Sequence, residues 1–125
     1  MKRIIETSNA PQAVGPYSQA VEVNGTLFIS GQVPLNPETM KLVEGGIKEQ
    51  TLQVMKNIGA ILHAAGYNFA DVVKSTCLLS DIENFKPMNE VYSQFYTVDK
   101  PARAAFAVKD LPLGALVEIE TIAVK

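Results

Sequence analysis

The sequence predicts an α+β fold in which strands precede, separate and follow two helices. Short apolar runs broken by Gly and Pro fill the first 46 residues, a composition typical of short strands and loops. Two later segments instead place apolar residues three and four positions apart, as on one face of an amphipathic helix. The predicted order is βββαβαββ, which is characteristic of an α+β domain.

The first half contains a predicted β-hairpin. Residues 19–23 and 26–33 have strand character, and Asn24-Gly25 between them supplies the two positive φ angles of a tight hairpin turn. A further short strand is predicted near Ile4. These segments account for the first three strands.

The second half alternates helices and strands. Residues 47–65 form the first predicted helix, and Gly66 ends it as a left-handed cap. Residues 72–79, 103–108 and 116–124 are predicted strands, the last two joined by a turn at 111–114. The second helix has Pro87 in its first turn. Its apolar stripe contains Phe85, Met88, Val91, Tyr92 and Phe95.

The length and composition limit the classes of function. A chain of 125 residues with a net charge of −2 is expected to form one domain over residues 1–125 and lacks the basic stripe that nucleic acid requires. It has one cysteine, Cys77, and one histidine, His63. A disulfide, a metal site or a Ser-His-Asp triad is therefore not expected within the chain. We interpret Cys77 as a core residue and His63 as a surface residue. The single cysteine favours a reducing cytoplasm. No signal peptide pattern or apolar run of membrane-spanning length is present, so no membrane partner is expected.

The predicted strands are apolar on both faces. In the last strand Val117 and Ile119 point one way, while Ile122 and Val124 point the other way together with the two acids of that strand. Two helices can cover only one face of the sheet, so the other face is expected to form an interface between copies of the chain. Base rates for homo-oligomers favour a twofold dimer on this evidence alone.

Arg103 is a candidate carboxylate-binding residue. It begins a predicted strand, and Ala105 and Ala107 follow it on the same side, so that small side chains leave space beside a planar set of donors. Glu118 and Glu120 share one face of the last strand, and a carboxylate close to a cationic site can orient or deprotonate water. An exposed arginine and a solvated acidic strand face are the alternative interpretations.

Four other residues are candidates for the wall of a pocket. Asn89 lies on or beside the apolar stripe of the second helix, where its amide needs partners. Tyr17 follows Gly15-Pro16, and the Ser30 hydroxyl precedes Gly31, which has no side chain. Ordinary turn, cap and strand roles explain them equally well.

The sequence resembles the RidA/YjgF family, the reactive intermediate deaminases, from the first strand to the last residues. The resemblance lies in several separated motifs. They are Ala10-Pro11 through Gly15-Pro16-Tyr17-Ser18-Gln19-Ala20, Phe28-Ile29-Ser30-Gly31-Gln32-Val33-Pro34, residues 50–66 ending in Ala64-Ala65-Gly66, Met88-Asn89-Glu90-Val91-Tyr92, Pro101-Ala102-Arg103-Ala104, and residues 113–123 with Val117-Glu118-Ile119-Glu120. It implies a chorismate-mutase-like fold, with a mixed β-sheet and two helices packed on one face. It also implies a homotrimer, in place of the dimer, with the other sheet faces forming the central core and a ligand cleft at each subunit boundary.

The resemblance also implies roles for the candidate residues. Arg103 is similar to the family arginine that binds the substrate carboxylate, and Glu118 to the acid that positions water. The substrate-binding positions are filled by Tyr17, Ser30, Gly31, Asn89, Arg103 and the backbone of Ala105. The implied reaction is hydrolysis of 2-imino or enamine acids, such as 2-iminobutanoate and 2-aminoacrylate, to 2-oxo acids and ammonia without a cofactor. Some members have a cysteine where this chain has Ala105, which excludes a thiol role at that position.

Two alternatives remain open at this point. The same cleft in a non-catalytic trimer would bind small 2-oxo acids for regulation. Ribonuclease or chaperone activity has been attached to relatives, but the acidic balance of the chain disfavours RNA.

Overall fold

The computed structural model describes residues 1–125 as a six-stranded sheet with two helices on one face. The strands are β1 (Arg3–Ile5), β2 (Ala20–Val23), β3 (Thr26–Gln32), β4 (Val72–Leu79), β5 (Ala102–Ala107) and β6 (Val117–Val124), and the helices are α1 (Ile47–Ala65) and α2 (Phe85–Tyr92). The predicted order is confirmed. The second helix is shorter than its apolar stripe predicts, because it ends at Tyr92 and leaves Phe95 beyond it.

The strand order across the sheet is β1-β2-β3-β6-β4-β5. Only β4 and β5 are parallel, and the other neighbours are antiparallel, so the sheet is mixed as expected. The β2–β3 hairpin turns at Asn24 and Gly25 with φ angles of 49° and 78°, the left-handed pair that the sequence predicts. This order makes β5 an edge strand and places Arg103 at the border of the sheet.

The helix α1 spans the predicted residues and supplies much of the core. The Glu49 carboxylate accepts a hydrogen bond of 2.8 Å from the Gly46 backbone N–H at its start, and Gly66 ends it with φ 84°. The buried apolar side chains of its inner face are Val54, Met55, Ile58, Ile61 and Leu62. Each contributes roughly 1.5–3 kcal/mol by leaving water. The helix lies over β3 and β6, and α2 packs against α1.

The two faces of the sheet differ in their cover. Along β6, Val117 and Ile119 are buried beneath the helices, whereas the alternate residues point to the open face. That face exposes Phe28, Phe106 and Val124, each with more than two-fifths of its surface free. Exposed apolar side chains on one face of a sheet are typical of protein interfaces. Neither helix combines the length and apolar character needed to span a membrane.

The single cysteine and histidine have the structural positions that the sequence predicts. Cys77 is buried in β4, and burial raises the pKa of its thiol to about 11. His63 is exposed on α1. Neither residue lines a hollow that contains the candidate site residues.

Candidate functional site

The candidate site residues other than Ala105 line two separate hollows. Arg103 and Asn89 line a hollow of about 350 Å³ between α2 and the start of β5. Tyr17, Ser30 and Glu118 line a hollow of about 740 Å³ at the opposite face of the sheet. The two hollows share no lining residue.

The Arg103 guanidinium is held by three side chains of α2. Its Nη1 donates a hydrogen bond of 2.6 Å to the Asn89 Oδ1. Its central carbon lies 5.0 Å from the centre of the Tyr92 ring and 5.3 Å from that of Phe85. At these distances the negative faces of the rings attract the cation. Arg103 is therefore exposed to solvent, but these contacts restrict the orientation of its guanidinium.

The positive charge of Arg103 is not neutralised within the chain. The two ion pairs of the structure join Arg3 to Glu22 and Lys48 to Glu90. The hollow beside Arg103 is lined by no acidic residue and contains one further cation, Lys100. A guanidinium with free donors and no acidic partner is suited to a ligand carboxylate.

Ala105 differs from the other candidates because its side chain does not face a hollow. It shares the helix-side face of β5 with Arg103 and packs, half-buried, against the core. The outer edge of β5 has no strand partner, however. Its free backbone N–H and C=O groups can therefore form hydrogen bonds with a ligand.

The second hollow is shaped by a β-bulge. Ile29 pairs with Thr121 and Gln32 with Ile119, so three residue steps on β3 are matched by two on β6. The extra residue falls at Ser30-Gly31 and turns this segment toward the acids of β6. A bulge often re-aims side chains at a functional site in this way.

Gly31 lies directly against the Glu118 carboxylate. A Cβ atom at position 31 would overlap Glu118 Oε2. The Ser30 hydroxyl next to it donates a hydrogen bond of 2.6 Å to the Ser18 carbonyl, which leaves its oxygen free to accept one from a ligand. The bulge therefore fixes both the position of the carboxylate and an acceptor beside it.

Glu118 has the electrostatic properties of a base. It is half-buried, and this burial raises the pKa of its carboxyl above the usual value, with a smaller contribution from the negative charge of Glu120. A carboxylate that is destabilised in this way takes a proton more readily than a solvated one. The hollow thus contains a group able to activate water.

Arg103 and Glu118 point to opposite faces of the sheet. Arg103 is in register with the buried Ser75, which lies beneath the helices. Glu118 alternates with the buried Val117 and Ile119 and so points to the open face. One copy of the chain does not bring these two residues into one cleft.

Two groups of residues at the site are not predicted from the sequence. Phe85 and Tyr92 were recognised only as apolar helix residues, because periodicity does not show that their rings support an arginine. Gln19 is buried and accepts from Thr7 N–H at 2.7 Å while donating to the Pro11 carbonyl at 2.8 Å, which anchors the loop before Tyr17. The sequence feature that could have identified Gln19 is the position of a polar glutamine at the start of an apolar strand.

The topology defines a chorismate-mutase-like α+β protein with one hollow at the edge strand β5 and one on the open face over β3 and β6. The model of the family described as Endoribonuclease L-PSP matches residues 7–125. The chain belongs to this family, which is also called RidA/YjgF.

Similar proteins cover nearly the whole chain. A human protein named 2-iminobutanoate/2-iminopropanoate deaminase is 49% identical over 125 residues, which are 100% of this chain and 91% of that protein. The crystal structure of a putative endoribonuclease from Thermotoga maritima has a TM-score of 0.98 and 50% identity, covering 100% of this chain and 98% of its own. That of RidA from an Antarctic Psychrobacter species has a TM-score of 0.95 and 49% identity, covering 98% and 99%. The family resemblance and the implied fold are therefore confirmed.

Proposed function

We propose that this protein is a 2-iminobutanoate/2-iminopropanoate deaminase, which hydrolyses short 2-imino acids to 2-oxo acids and ammonia. The observation that carries the proposal is the guanidinium of Arg103, which is oriented by uncharged side chains and has no acidic partner. The human relative named for this reaction is similar over the whole of this chain. The reaction adds water to a substrate that carries a carboxylate. One hollow contains Arg103, which can bind the carboxylate, and the other contains Glu118, which can activate the water.

Arg103 binds the substrate carboxylate in this proposal. Asn89 fixes one guanidinium nitrogen, and the remaining donors form a bidentate pair with the two carboxylate oxygens. The backbone of Ala105 on the free edge of β5 adds a contact to the same end of the substrate. The imine carbon next to the carboxylate is then held in a fixed position.

Glu118 positions the water that attacks this carbon. The Glu118 carboxylate takes a proton from the water as the water oxygen bonds to the carbon of the protonated C=N group. It then passes this proton to the nitrogen of the resulting carbinolamine. The C–N bond breaks as the hydroxyl proton moves to the carboxylate and C=O forms, which leaves the 2-oxo acid and ammonia. The Ser30 oxygen accepts a hydrogen bond from the nitrogen, and Tyr17 and Gly31 complete the wall. An imine carbon is already electrophilic, so orientation and charge placement provide the catalysis.

The active assembly in this proposal is a homotrimer in the cytoplasm. The open sheet faces form its centre, which would cover the exposed Phe28, Phe106 and Val124. Each cleft then combines Arg103 of one protomer with Glu118 of the next. The opposite directions of these side chains within one chain support a cleft at the subunit boundary.

RNA cleavage is the activity named in the description of the family, and the charge of the site disfavours it here. The hollow around Glu118 and Glu120 is lined by no lysine or arginine. RNA binding depends on cations that neutralise successive phosphates. Binding of a small carboxylate requires only one guanidinium.

The proposal is tested by coupling the protein to a pyridoxal-phosphate-dependent dehydratase that releases a 2-imino acid. The purified protein should increase the initial rate of 2-oxo acid formation at constant dehydratase. Calorimetry with 2-oxobutanoate serves as the second measurement. Binding of 2-oxobutanoate without any acceleration would instead identify the non-catalytic regulatory trimer.

Replacing Gly31 by alanine tests the position of the carboxylate. Gly31 has no positive φ, so the main cost is the overlap of the new Cβ with Glu118, whose flexible end must rotate away. We expect kcat to fall by about 10- to 100-fold, as for a displacement near 1 Å, with little change in thermal stability. The matched control is Gly46→Ala, whose Cβ would lie 3.9 Å from its nearest neighbour, Glu49 Oε1. Equal kcat values for the two variants would contradict the placement of Glu118.

Replacing Glu120 by glutamine tests the charge around the base. Activity requires ionised Glu118 and is lost as the pH falls through its pKa. The negative Glu120 contributes to the raised pKa of Glu118, so its removal should move the acid limb of the kcat/KM profile to lower pH. Part of the elevation remains, because burial is the larger cause. A limb that stays in place or moves upward would show that Glu118 is not the titrating base.

A further inference from the structure

The guanidinium of Arg103 is oriented by one stripe of α2. Phe85, Asn89 and Tyr92 are four and three residues apart, which places them on the same side of a helix. Asn89 contacts a guanidinium nitrogen, while the two rings lie near its central carbon. Three contacts from one rigid element restrict both the position and the tilt of the planar group.

The chemistry of these contacts leaves the arginine available to a ligand. An aspartate or glutamate in place of the rings would neutralise the charge and occupy the N–H donors. An aromatic face attracts the cation through its quadrupole without accepting an in-plane N–H. Asn89 accepts from Nη1 alone, so the guanidinium keeps donors for a carboxylate.

Tyr92 is the more firmly held of the two rings. It is 7% exposed, and its ring centre lies 4.8 Å from that of Tyr96. Its hydroxyl lies in a buried group with those of Ser75 and Tyr96. Ser75 is the residue of β4 in register with Arg103. Tyr92 thus extends from the interior of the sheet to the guanidinium, whereas Phe85 is only partly buried.

We propose that Tyr92 is a positioning residue for the substrate carboxylate, acting through Arg103. Its ring face holds the guanidinium plane so that the free donors face the cleft, and Phe85 supports the same plane. The ring rather than the hydroxyl performs this role. The inference rests on the proposed function, because that function assigns the carboxylate to Arg103.

The test replaces Tyr92 by phenylalanine and then by phenylalanines with one, two and three ring fluorines. Fluorine withdraws electron density from the ring face and weakens its attraction for a cation while nearly preserving its shape. Tyr92→Phe should keep KM within about twofold, and KM should then rise stepwise to about three- to tenfold, the range of a lost cation–π contact. The value of kcat should change less than KM. The Kd of 2-oxobutanoate, measured by calorimetry, should follow the same trend.

Phe69 provides the matched control. Its ring lies 5.6 Å from that of Tyr96 and 5.3 Å from that of Phe95, but it does not contact Arg103. The same fluorinated series at position 69 should leave KM unchanged, whereas the series at Phe85 should reproduce the trend without loss of a hydroxyl. The inference is overturned if KM stays constant across the fluorinated series at positions 85 and 92, or if the series at position 69 changes KM by the same amount. If the protein binds 2-oxobutanoate but hydrolyses no imine, the proposed function fails while the Kd series still tests Tyr92.

Discussion

Replacement of Arg103 by alanine should reduce kcat/KM for 2-iminobutanoate by roughly 10²- to 10⁴-fold. A bidentate carboxylate pair comprises two charge-assisted hydrogen bonds, each contributing about 1.5–3 kcal/mol. No other cation can replace these two hydrogen bonds. The only other cation beside this hollow is Lys100, and its side chain is exposed to solvent. Steady-state kinetics with dehydratase-generated substrate measures the loss, and calorimetry should show a parallel loss of 2-oxobutanoate affinity.

Two control variants separate geometry from charge and from general damage. Arg103→Lys keeps the charge but not the planar pair of donors, so its kcat/KM should fall between those of wild type and Arg103→Ala. The other arginine, Arg3, bonds Glu22 at 2.9 Å and lines neither hollow. Arg3→Gln should therefore retain full activity. An Arg103→Ala protein that is as active as Arg3→Gln would remove Arg103 from the site.

Replacement of Glu118 by glutamine should lower kcat by roughly 10²- to 10⁴-fold, the usual contribution of a positioned general base. The change keeps the size of the side chain and removes its ability to take a proton from water. The value of KM should change little, because Glu118 does not contact the carboxylate in this account. Stopped-flow or coupled assays of 2-oxo acid formation give both constants.

Glu120→Gln is the matched control for this change. The two acids lie on the same face of β6, but only Glu118 contacts Gly31 at the bulge. At a pH well above the acid limb, Glu120→Gln should keep most of the wild-type kcat. A loss as large as that of Glu118→Gln would transfer the role of base to Glu120 or divide it between the two acids.

The sequence predicts most of the fold because its local patterns agree with the packing. The helical period of residues 47–65 and the cap at Gly66 give both ends of α1, since a single buried face and a left-handed glycine leave no competing boundary. Asn24-Gly25 likewise predicts the hairpin. The end of α2 is less predictable, because Phe95 continues the apolar stripe after the backbone has left the helix.

The site is less visible in the sequence because its parts meet only through tertiary structure. The bulge at Ser30-Gly31 depends on the register with β6, and a glycine inside a strand indicates a bulge without showing which residue it faces. The support of Arg103 by Tyr92 requires α2 to pack beside β5. Individual residues suggested alternatives such as a surface arginine, and only the resemblance to a family assigned their roles.

The opposite directions of Arg103 and Glu118 have the greatest consequence for function. Alternation along the strands predicts the face of each residue within its own strand. It does not relate the faces of β5 and β6, since that depends on their registers with β4. These directions support the proposal that Arg103 and Glu118 meet only between two copies of the chain, so that each copy provides half of two clefts.

Subunit complementation tests this central claim most directly. Arg103→Ala and Glu118→Gln chains, carrying different tags, are mixed in equal amounts, unfolded and refolded together, and purified through both tags. Each parent alone should be nearly inactive, whereas every trimer that contains both chains should have about a third of its clefts restored, namely the one cleft with an intact Arg103 and an intact Glu118 from different chains. Recovery of activity near that fraction is the predicted result. Doubly tagged assemblies that remain as inactive as their parents would contradict a cleft shared between subunits.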